Sequence, residues 1–295
     1  MYFLAIDAGG TKTEVAVGDE RQVLSREVGS SIKLPNVGPE AAGANLREVV
    51  VRALSHAGLT PKQINGACVG MSGISRADIR DWLTHAMAEL LPTQTTLTGD
   101  QEIAHYAAFP GEPGVLVIAG TGSIAIGKSA EGKTARCGGW GAKFSDEGSA
   151  YWTGELAVRK LFRLRDRGAD VPLLQRIVEN LALGNAERLV SGQENFDFAT
   201  LFPTICKSAE QGDPTAWYVL SEAGRELADM ALAVAQSLAL VRGTVCGAGS
   251  VFLYAPLVRS AFRGALAANA AHLIYDEKLV EPVLGALAMA RKAHA

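Results

Sequence analysis

The sequence contains little cysteine: there are 4 in 295 residues, and no two of them form a Cys-x-x-C pair. Structural zinc sites and disulfide frameworks need cysteines at short, regular spacing, so neither is predicted. The 5 histidines are scattered too, without the i, i+4 spacing of a helical metal pair. We therefore expect reduced, packed thiols and no metal held by cysteine or histidine.

An excess of charge of one sign is also missing. Lys plus Arg number 28 and Asp plus Glu number 31, a formal net charge of -3 without blocks of like charge. Nucleic acids and anionic membranes attract basic patches, so we expect neither as a partner and favour a small soluble molecule. The most apolar stretch, 227–241, is too short and too polar to span a bilayer, and the first residues show no basic leader. A cytoplasmic protein is expected.

The length favours two domains, because 295 residues exceed the usual size of one. Strand-like and helix-like segments alternate up to residue 108, and the turn-rich joint Pro110 to Gly114 follows them. Beyond residue 149 the sequence is mostly helical to about 240, with an irregular patch around 184–198. We predict domains over 1–112 and 113–282, with a final helix, 283–295, returning to the first domain.

A strand, a turn of glycine and hydroxyl residues, and a second strand occur twice. Glycines let backbone N–H groups approach a polyphosphate, hydroxyl groups donate to its oxygens, and lysine neutralises its charge. An ordinary β-hairpin turn is the alternative for either turn taken alone. Because there are two matched turns, we predict that they face each other and bind the β- and γ-phosphates of a nucleotide. The residues concerned are Gly9, Gly10, Thr11, Lys12 and Thr13 in the first turn and Gly120, Thr121 and Gly122 in the second.

Other phosphate-binding signatures are absent: the sequence has neither a Walker A loop nor a dinucleotide fingerprint between a strand and a helix. Two aspartates at predicted strand ends carry the remaining chemistry. Asp7 is a candidate ligand of hydrated Mg²⁺. Asp100 can accept the proton of an attacking hydroxyl in phosphoryl transfer, or it can cap a helix that begins near Gln101. Glu102 is a neighbouring, less well placed candidate base.

Three glycine-rich segments follow. In Cys137 to Gly141, glycines around Trp140 suggest close approach of the backbone to a ligand. Trp140 could pack against a sugar face or an acyl group, or it could be a core aromatic residue in a loop. Ser145 to Ser149 is expected to supply a helix cap, and Asp146 within it can bind sugar hydroxyls. Gly247 to Ser250 lies between a strand and a helix, either as an ordinary turn or as a site for adenosine.

In order along the chain, these motifs together with Ser72-Gly73 resemble the N-acetylglucosamine kinase family of the actin, heat-shock chaperone and sugar kinase superfamily. The resemblance implies an α/β fold with two ribonuclease-H-like (actin-like ATPase) domains around a central cleft. It implies ATP and Mg²⁺ as cofactors and Asp100 as the base for the 6-hydroxyl of N-acetylglucosamine. Residues implied to bind MgATP are Asp7, Gly10, Thr11, Thr121, Gly247, Gly249 and Ser250. Those implied to contact the sugar are Asn36, Ser72, Gly73, Gly139, Trp140 and Asp146.

Alternatives stay open at this point. The segment 31–36 matches the family poorly, and bacterial glucosamine kinases share much of the pattern. ATPases that activate acyl-CoA dehydratases have the same fold but need paired cysteines, and a non-catalytic nucleotide switch is a further class. We also expect a homodimer, as in many relatives of this kind.

Overall fold

The computed structural model describes residues 1–189 and 196–294. The chain divides into two compact units: unit 1 comprises Met1–Gly111 with Val280–Ala295, and unit 2 comprises Glu112–Leu279. Part of the patch expected to be irregular, 190–195, and the last residue of the predicted final helix, 295, lie outside the described residues.

Unit 1 is built on a five-stranded sheet in the order β3-β2-β1-β4-β5. Strands β1 and β2, and β2 and β3, pair antiparallel, whereas β4 and β5 run parallel to β1. The strands are β1 Tyr2–Ala8, β2 Lys12–Gly18, β3 Val23–Ser30, β4 Ile64–Met71 and β5 Thr95–Thr98. Its first helices are α1 Leu34–Val37, α2 Pro39–His56, α3 Ala77–Leu90 and α4 Asp100–Ala108, with a 3₁₀ turn at Pro61–Gln63.

Unit 2 repeats this sheet, in the order β10-β9-β6-β7-β8. Again the first three strands form an antiparallel meander and the last two run parallel to the first. The strands are β6 Gly114–Ala119, β7 Ser123–Lys128, β8 Thr134–Gly138, β9 Gly243–Ala248 and β10 Leu273–Asp276. The helices are α5 Ala150–Arg165, α6 Pro172–Asn180, α7 Phe202–Glu210, α8 Pro214–Ser237, α9 Ser250–Tyr254 and α10 Pro256–Asn269, with 3₁₀ turns at Ala186–Leu189 and Phe198–Leu201. The predicted class, α/β with a ribonuclease-H-like sheet in each half, is confirmed.

Strand β1 is apolar on both faces because helices cover both sides of its sheet. Leu4 and Ile6 pack in one core with residues of α2 and α3, and Phe3 packs in another with Ile103 of α4. The last helix, α11 Pro282–Lys292, completes this second core through Val283 and Leu287. Side chains of β1 therefore alternate between the α2–α3 side and the α4–α11 side.

The sequence analysis did not predict β3, β8 and β10, which lie at or beside the edges of the two sheets. Their residues are largely exposed or half-buried, as with Val28 in β3 and Ile274 in β10. Edge strands bury only part of one face, so they lack the continuous apolar run that marked β1, β4 and β6.

Among the residues that the structure describes, no helix is long and apolar enough to cross a membrane.

Candidate active site

Three polar segments meet at one edge of the unit 1 sheet. In the parallel ladder Ala8 pairs with Met71, and Gly70 pairs with Thr98, so β1, β4 and β5 end at the same level. Asp7 and the first glycine turn, the turn at Ser72-Gly73, and Asp100 therefore lie at the carboxyl ends of neighbouring strands, where α/β sheets bind ligands. Three segments that are far apart in sequence are brought together here.

Asp7 faces the α4–α11 side of the sheet, as does Glu14, its partner in the β1–β2 register. Burial raises the pKa of the Asp7 carboxyl to about 6, and the negative charges of Asp100 and Glu14 add to the shift, which Lys12 partly opposes. The carboxylate of Asp7 thus lies in a pocket of negative charge that favours a cation.

Asp100 is the first residue of α4, and Gly99 occupies the N-cap position. The predicted helix cap at Asp100 is therefore wrong by one residue. Its Oδ1 instead accepts a hydrogen bond of 3.0 Å from the backbone N–H of Gln101. Burial raises the pKa of Asp100, while this N–H and the positive charge of Lys33 lower it. The start of a helix also favours the ionised form, which is the form a general base needs.

The first glycine turn is closed by a hydrogen bond of 3.0 Å from the N–H of Gly9 to the carbonyl of Lys12. Two side chains from beyond β3, Ser31 in a loop and Asn36 in α1, hold it from outside. Ser31 Oγ donates to the carbonyl of Gly9 at 3.1 Å, and Asn36 Nδ2 donates to the carbonyl of Gly10 at 2.8 Å. Asn36 thus lies beside the turn, but its amide N–H groups are partly used to hold it.

Thr13 requires a correction. Its side chain lies on the α2–α3 side of the sheet, opposite Asp7, and is 0% exposed. Its hydroxyl finds no hydrogen-bond partner within the described part of the chain. It cannot reach a bound phosphate from there, whereas Thr11 and Lys12 are exposed at the turn.

After β4 the chain turns through Ser72 and Gly73. Gly73 has φ of 79°, in the region that favours glycine, and is exposed, while Ser72 is half-buried. The turn therefore presents backbone and a hydroxyl group at the edge where Asp7 and Asp100 lie.

In unit 2 the second glycine turn is held by the start of a helix. The N–H groups of Ala150 and Tyr151, at the N-terminus of α5, donate to the carbonyls of Gly120 and Thr121 at 2.9 and 3.3 Å. The predicted cap of this helix is confirmed at Ser149, whose Oγ accepts from the N–H of Trp152 at 3.1 Å. The turn therefore has a fixed backbone with the Thr121 side chain exposed.

Asp146, from the segment before α5, packs against the second glycine turn. It has φ of 71°, is almost fully buried, and accepts a hydrogen bond of 3.3 Å at Oδ1 from the N–H of Ser123. A Cβ added at Gly122 would lie 2.8 Å from its Oδ2. Burial raises the pKa of this carboxyl, and the Ser123 N–H lowers it. The observed contacts of Asp146 position the turn; its predicted sugar contact stays a prediction.

The segment around Trp140 differs from the expectation that its glycines face a ligand. Gly138 and Gly139 have positive φ, and a Cβ on either would meet a protein side chain, Met230 Cε or Ile124 Cδ1. Packing within unit 2 thus accounts for both glycines. Trp140 itself is 66% exposed, so the core alternative is wrong, and the Arg136 guanidinium lies 3.9 Å from its ring centroid.

The segment Gly247 to Ser250 is likewise packed against protein. A Cβ on Gly247 would overlap the Phe252 ring, and one on Gly249, with φ of 92°, would overlap the backbone of Ala119. Ser250 is exposed at the start of α9. The glycines have a structural reason, and the binding of adenosine stays a prediction.

Sequence reasoning missed Glu14, Ser31 and Lys33. Glu14 could have been found from the hairpin, since a residue that pairs with Asp7 across a two-stranded turn lies on the same face. Ser31 and Lys33 lie in a loop without periodicity, where only the fold brings them to the glycine turn.

The model of the BadF/BadG/BcrA/BcrD ATPase family matches residues 4–290. The chain belongs to this family. ATP is accordingly its nucleotide.

Three curated relatives of this family member carry amino-sugar kinase names. A Dictyostelium discoideum protein named N-acetyl-D-glucosamine kinase is 31% identical over 81% of this chain and 80% of its own length. A Clostridium acetobutylicum protein named N-acetylmuramic acid/N-acetylglucosamine kinase is 28% identical over 81% of each chain. A Vibrio cholerae protein named glucosamine kinase is 26% identical over 77% of this chain and 78% of its own. The resemblance seen in the sequence is confirmed.

A crystal structure from Chromobacterium violaceum, which carries N-acetylglucosamine kinase as a provisional name, superposes with a TM-score of 0.74 at 24% identity. The match covers 97% of each chain. At this identity the likeness concerns the fold, and it confirms the two-domain actin-like expectation.

The four cysteines of this family member are free thiols; Cys68 and Cys246 are buried, and Cys137 and Cys206 are half-buried. Burial raises the pKa of Cys68 to about 12 and that of Cys206 and Cys246 to about 11, and it also raises the pKa of Cys137. Metal binding needs the thiolate. Among residues 1–189 and 196–294 no group of three or more His, Cys, Asp or Glu side chains could hold a metal ion.

Proposed function

We propose that this ATPase-family member transfers the γ-phosphoryl group of ATP to the 6-hydroxyl of N-acetylglucosamine. The names of the relatives support an amino sugar as the acceptor. The observation that carries the proposal is the placement of Asp100. Its carboxylate lies at a parallel-strand end, beside the first glycine turn, and is held by the N–H of Gln101.

In this mechanism Asp100 accepts the proton of the sugar 6-hydroxyl as the oxygen attacks. A bond forms between that oxygen and the γ-phosphorus, the bond from the γ-phosphorus to the β–γ bridging oxygen breaks, and ADP leaves. Such a transfer needs mainly positioning and neutralisation of charge. The exposed Thr11 and Lys12 and the backbone of Gly9 and Gly10 are proposed to bind the phosphates in unit 1.

Asp7 fits Mg²⁺. Magnesium is commonly held by one or two carboxylates together with substrate phosphates rather than by a complete protein cage. Glu14, the other carboxylate on this face, is already bound to Arg26, so Asp7 is the carboxylate left to approach the ion. A bound Mg²⁺ would neutralise the phosphates and relieve the repulsion that raises the pKa of Asp7.

We propose that the remaining residues of the pattern serve the two ligands as the family resemblance implies. Trp140 has an exposed ring of the kind that covers the apolar face of a sugar. The other proposed sugar contacts are Asn36, Ser72, Gly73, Gly139 and Asp146. The other proposed nucleotide contacts are Gly120, Thr121, Gly122, Gly247, Gly249 and Ser250.

Glucosamine is the second candidate acceptor. The Vibrio cholerae relative named glucosamine kinase, 26% identical over 77% of this chain, supports this acceptor. An activator of acyl-CoA dehydratases is disfavoured, because the four cysteines lie far apart in the sequence and none forms a Cys-x-x-C pair. A homodimer and a cytoplasmic location stay predictions.

The test is coupled ADP release with N-acetylglucosamine, glucosamine, N-acetylmannosamine, glucose and no sugar. We expect sugar-dependent release, highest with N-acetylglucosamine. Asp100→Asn should lower kcat by about 10²–10⁴-fold while ATP binding is kept, because only proton transfer is lost.

Asp78→Asn is the matched control, since Asp78 lies in the first turn of another unit 1 helix and pairs with Arg76. Its kcat should equal that of the parent. ADP release that ignores sugar would contradict the kinase, and full activity of Asp100→Asn would remove Asp100 from the mechanism.

A further inference from the structure

Three cations, Lys12, Arg26 and Lys33, lie at the ligand-binding edge of unit 1, and they differ in their partners. Lys12 Nζ is 3.8 Å from Glu14 Oε2, and Arg26 bonds both Glu14 and Glu281. Lys33 forms no ion pair with any carboxylate of the described residues, although it is half-buried. Its ammonium is thus free to pair with an anion that the protein binds.

The backbone of Lys33 is tied to the first glycine turn. Its N–H donates to Ser31 Oγ at 3.2 Å, and that hydroxyl donates to the carbonyl of Gly9 at 3.1 Å. On the other side, the carbonyl of Lys33 accepts from the N–H of Asn36 at 2.9 Å, and Asn36 Nδ2 donates to the carbonyl of Gly10. A rigid connection between Lys33 and the turn follows.

Lys33 also acts on Asp100. The positive charge of its side chain lowers the pKa of that carboxyl, whereas Lys12 acts on Asp7. The charge of Lys33 is therefore within electrostatic range of Asp100, while its backbone is bonded to the glycine turn through Ser31.

We propose that the Lys33 ammonium contacts the phosphoryl group during its transfer to the acceptor, an inference that rests on the proposed kinase function. In phosphoryl transfer, negative charge lies on the three non-bridging oxygens of the moving group, and a fixed cation stabilises it there. The proton of the acceptor hydroxyl goes to Asp100. This role adds a catalytic residue to Asp7 and Asp100.

The test compares Lys33→Met, Lys33→Arg and, as a control, Lys62→Met, which changes an exposed lysine directly before β4, at the edge of the sheet opposite the carboxyl strand ends. Lys33→Met should lower kcat by about 10²-fold, as for the loss of one donor to a transition-state oxygen. The KM values for ATP and sugar should change by less than about 3-fold, because the contact matters mainly in the transition state. The kcat of Lys33→Arg should be at least about tenfold higher than that of Lys33→Met, because arginine keeps the positive charge.

The rate with adenosine 5′-(γ-thio)triphosphate, compared with the rate with ATP, distinguishes contact with the phosphoryl group from a purely structural role, which would leave this ratio unchanged. Sulfur on the γ-phosphorus weakens a hydrogen bond from an ammonium, so the rate ratio of ATP to the thio analogue should be smaller in Lys33→Met than in the parent. An unchanged kcat or an unchanged thio ratio would overturn the proposal. A loss confined to the KM of one amino sugar would overturn it too, and would assign Lys33 to the sugar.

The parent enzyme is measured first with the sugar panel. A parent that transfers to no sugar would overturn the kinase function and this inference together. An active parent with an indifferent Lys33→Met variant would overturn the inference alone.

Discussion

The glycine turns of the two units have the same strand-turn-strand setting but different surroundings. A Cβ at Gly10 in unit 1 would meet no atom of the described residues within 4 Å beyond its chain neighbours, whereas one at Gly122 in unit 2 would lie 2.8 Å from Asp146 Oδ2. The first turn is held by the side chains of Ser31 and Asn36. The second turn is held by backbone N–H groups at the start of α5 and by Asp146.

This difference separates two reasons for the same residue type. In unit 2 Gly122 lets Asp146 pack closely, and that carboxylate holds the turn. In unit 1 Gly10 leaves space, and burial raises the pKa of the nearby carboxyls Asp7 and Asp100, as it does that of Asp146 in unit 2. Such groups are typical of functional sites.

The largest effect on stability is expected at Gly249. With φ of 92° and the Ala119 backbone beside it, a methyl group there is both strained and overlapping. Gly249→Ala should lower the free energy of unfolding by about 3 kcal/mol or more. Urea denaturation measures it. Gly264→Ala, in a helix of the same unit and with no described atom within 4 Å of an added Cβ, should instead be neutral or slightly stabilising.

The second effect belongs to Asp7. Because its pKa of about 6 exceeds the ordinary 3.8, the folded protein holds more protons than the unfolded chain between these values, and stability falls as pH rises through that window. Asp7→Asn should therefore be about 1–3 kcal/mol more stable than the parent at pH 7, with the gain vanishing near pH 4, while losing activity. Urea titrations from pH 4 to pH 8 test this. A gain in stability that does not depend on pH would show that the raised pKa of Asp7 is not its cause. The same gain in Asp81→Asn, which changes an exposed carboxylate, would show this too.

The smallest effect compares the turns directly. Gly122→Ala should cost about 1–2 kcal/mol, because Asp146 must move and its bond to the Ser123 N–H weakens. Gly10→Ala should change stability by less than about 0.5 kcal/mol yet raise the KM for ATP, since its methyl group meets the ligand rather than the protein. Equal losses of stability in both variants would remove the distinction between the turns.

The sequence was sufficient for the strands that are buried on both faces and for the two turns. It was also sufficient for Asp7 and Asp100 as the residues at strand ends, because strand ends can be read from where an apolar run stops. Their electrostatic setting could not be predicted, since the effect of Glu14 on Asp7 depends on register and the effect of Lys33 on Asp100 depends on a loop.

Thr13 shows the opposite failure. A hydroxyl beside glycines suggested a phosphate contact, but strand alternation places it in the core, one residue away from the exposed Lys12. At positions 138, 139, 247 and 249 the sequence showed that space is needed without showing that protein atoms fill the Cβ side, and the ligand contacts of Gly139, Gly247 and Gly249 stay predictions.

The helix α11 has a consequence for how the chain is made. Val283 and Leu287 of α11 complete the core around Phe3 of β1. The whole of unit 2, residues 112–279, is synthesised after β1 and before α11. Unit 2 is one continuous stretch and can fold as it leaves the ribosome. Unit 1 must wait, with the α4–α11 side of β1 uncovered, until translation reaches the last helix. Nascent-chain aggregation and chaperone demand should therefore centre on residues 1–111.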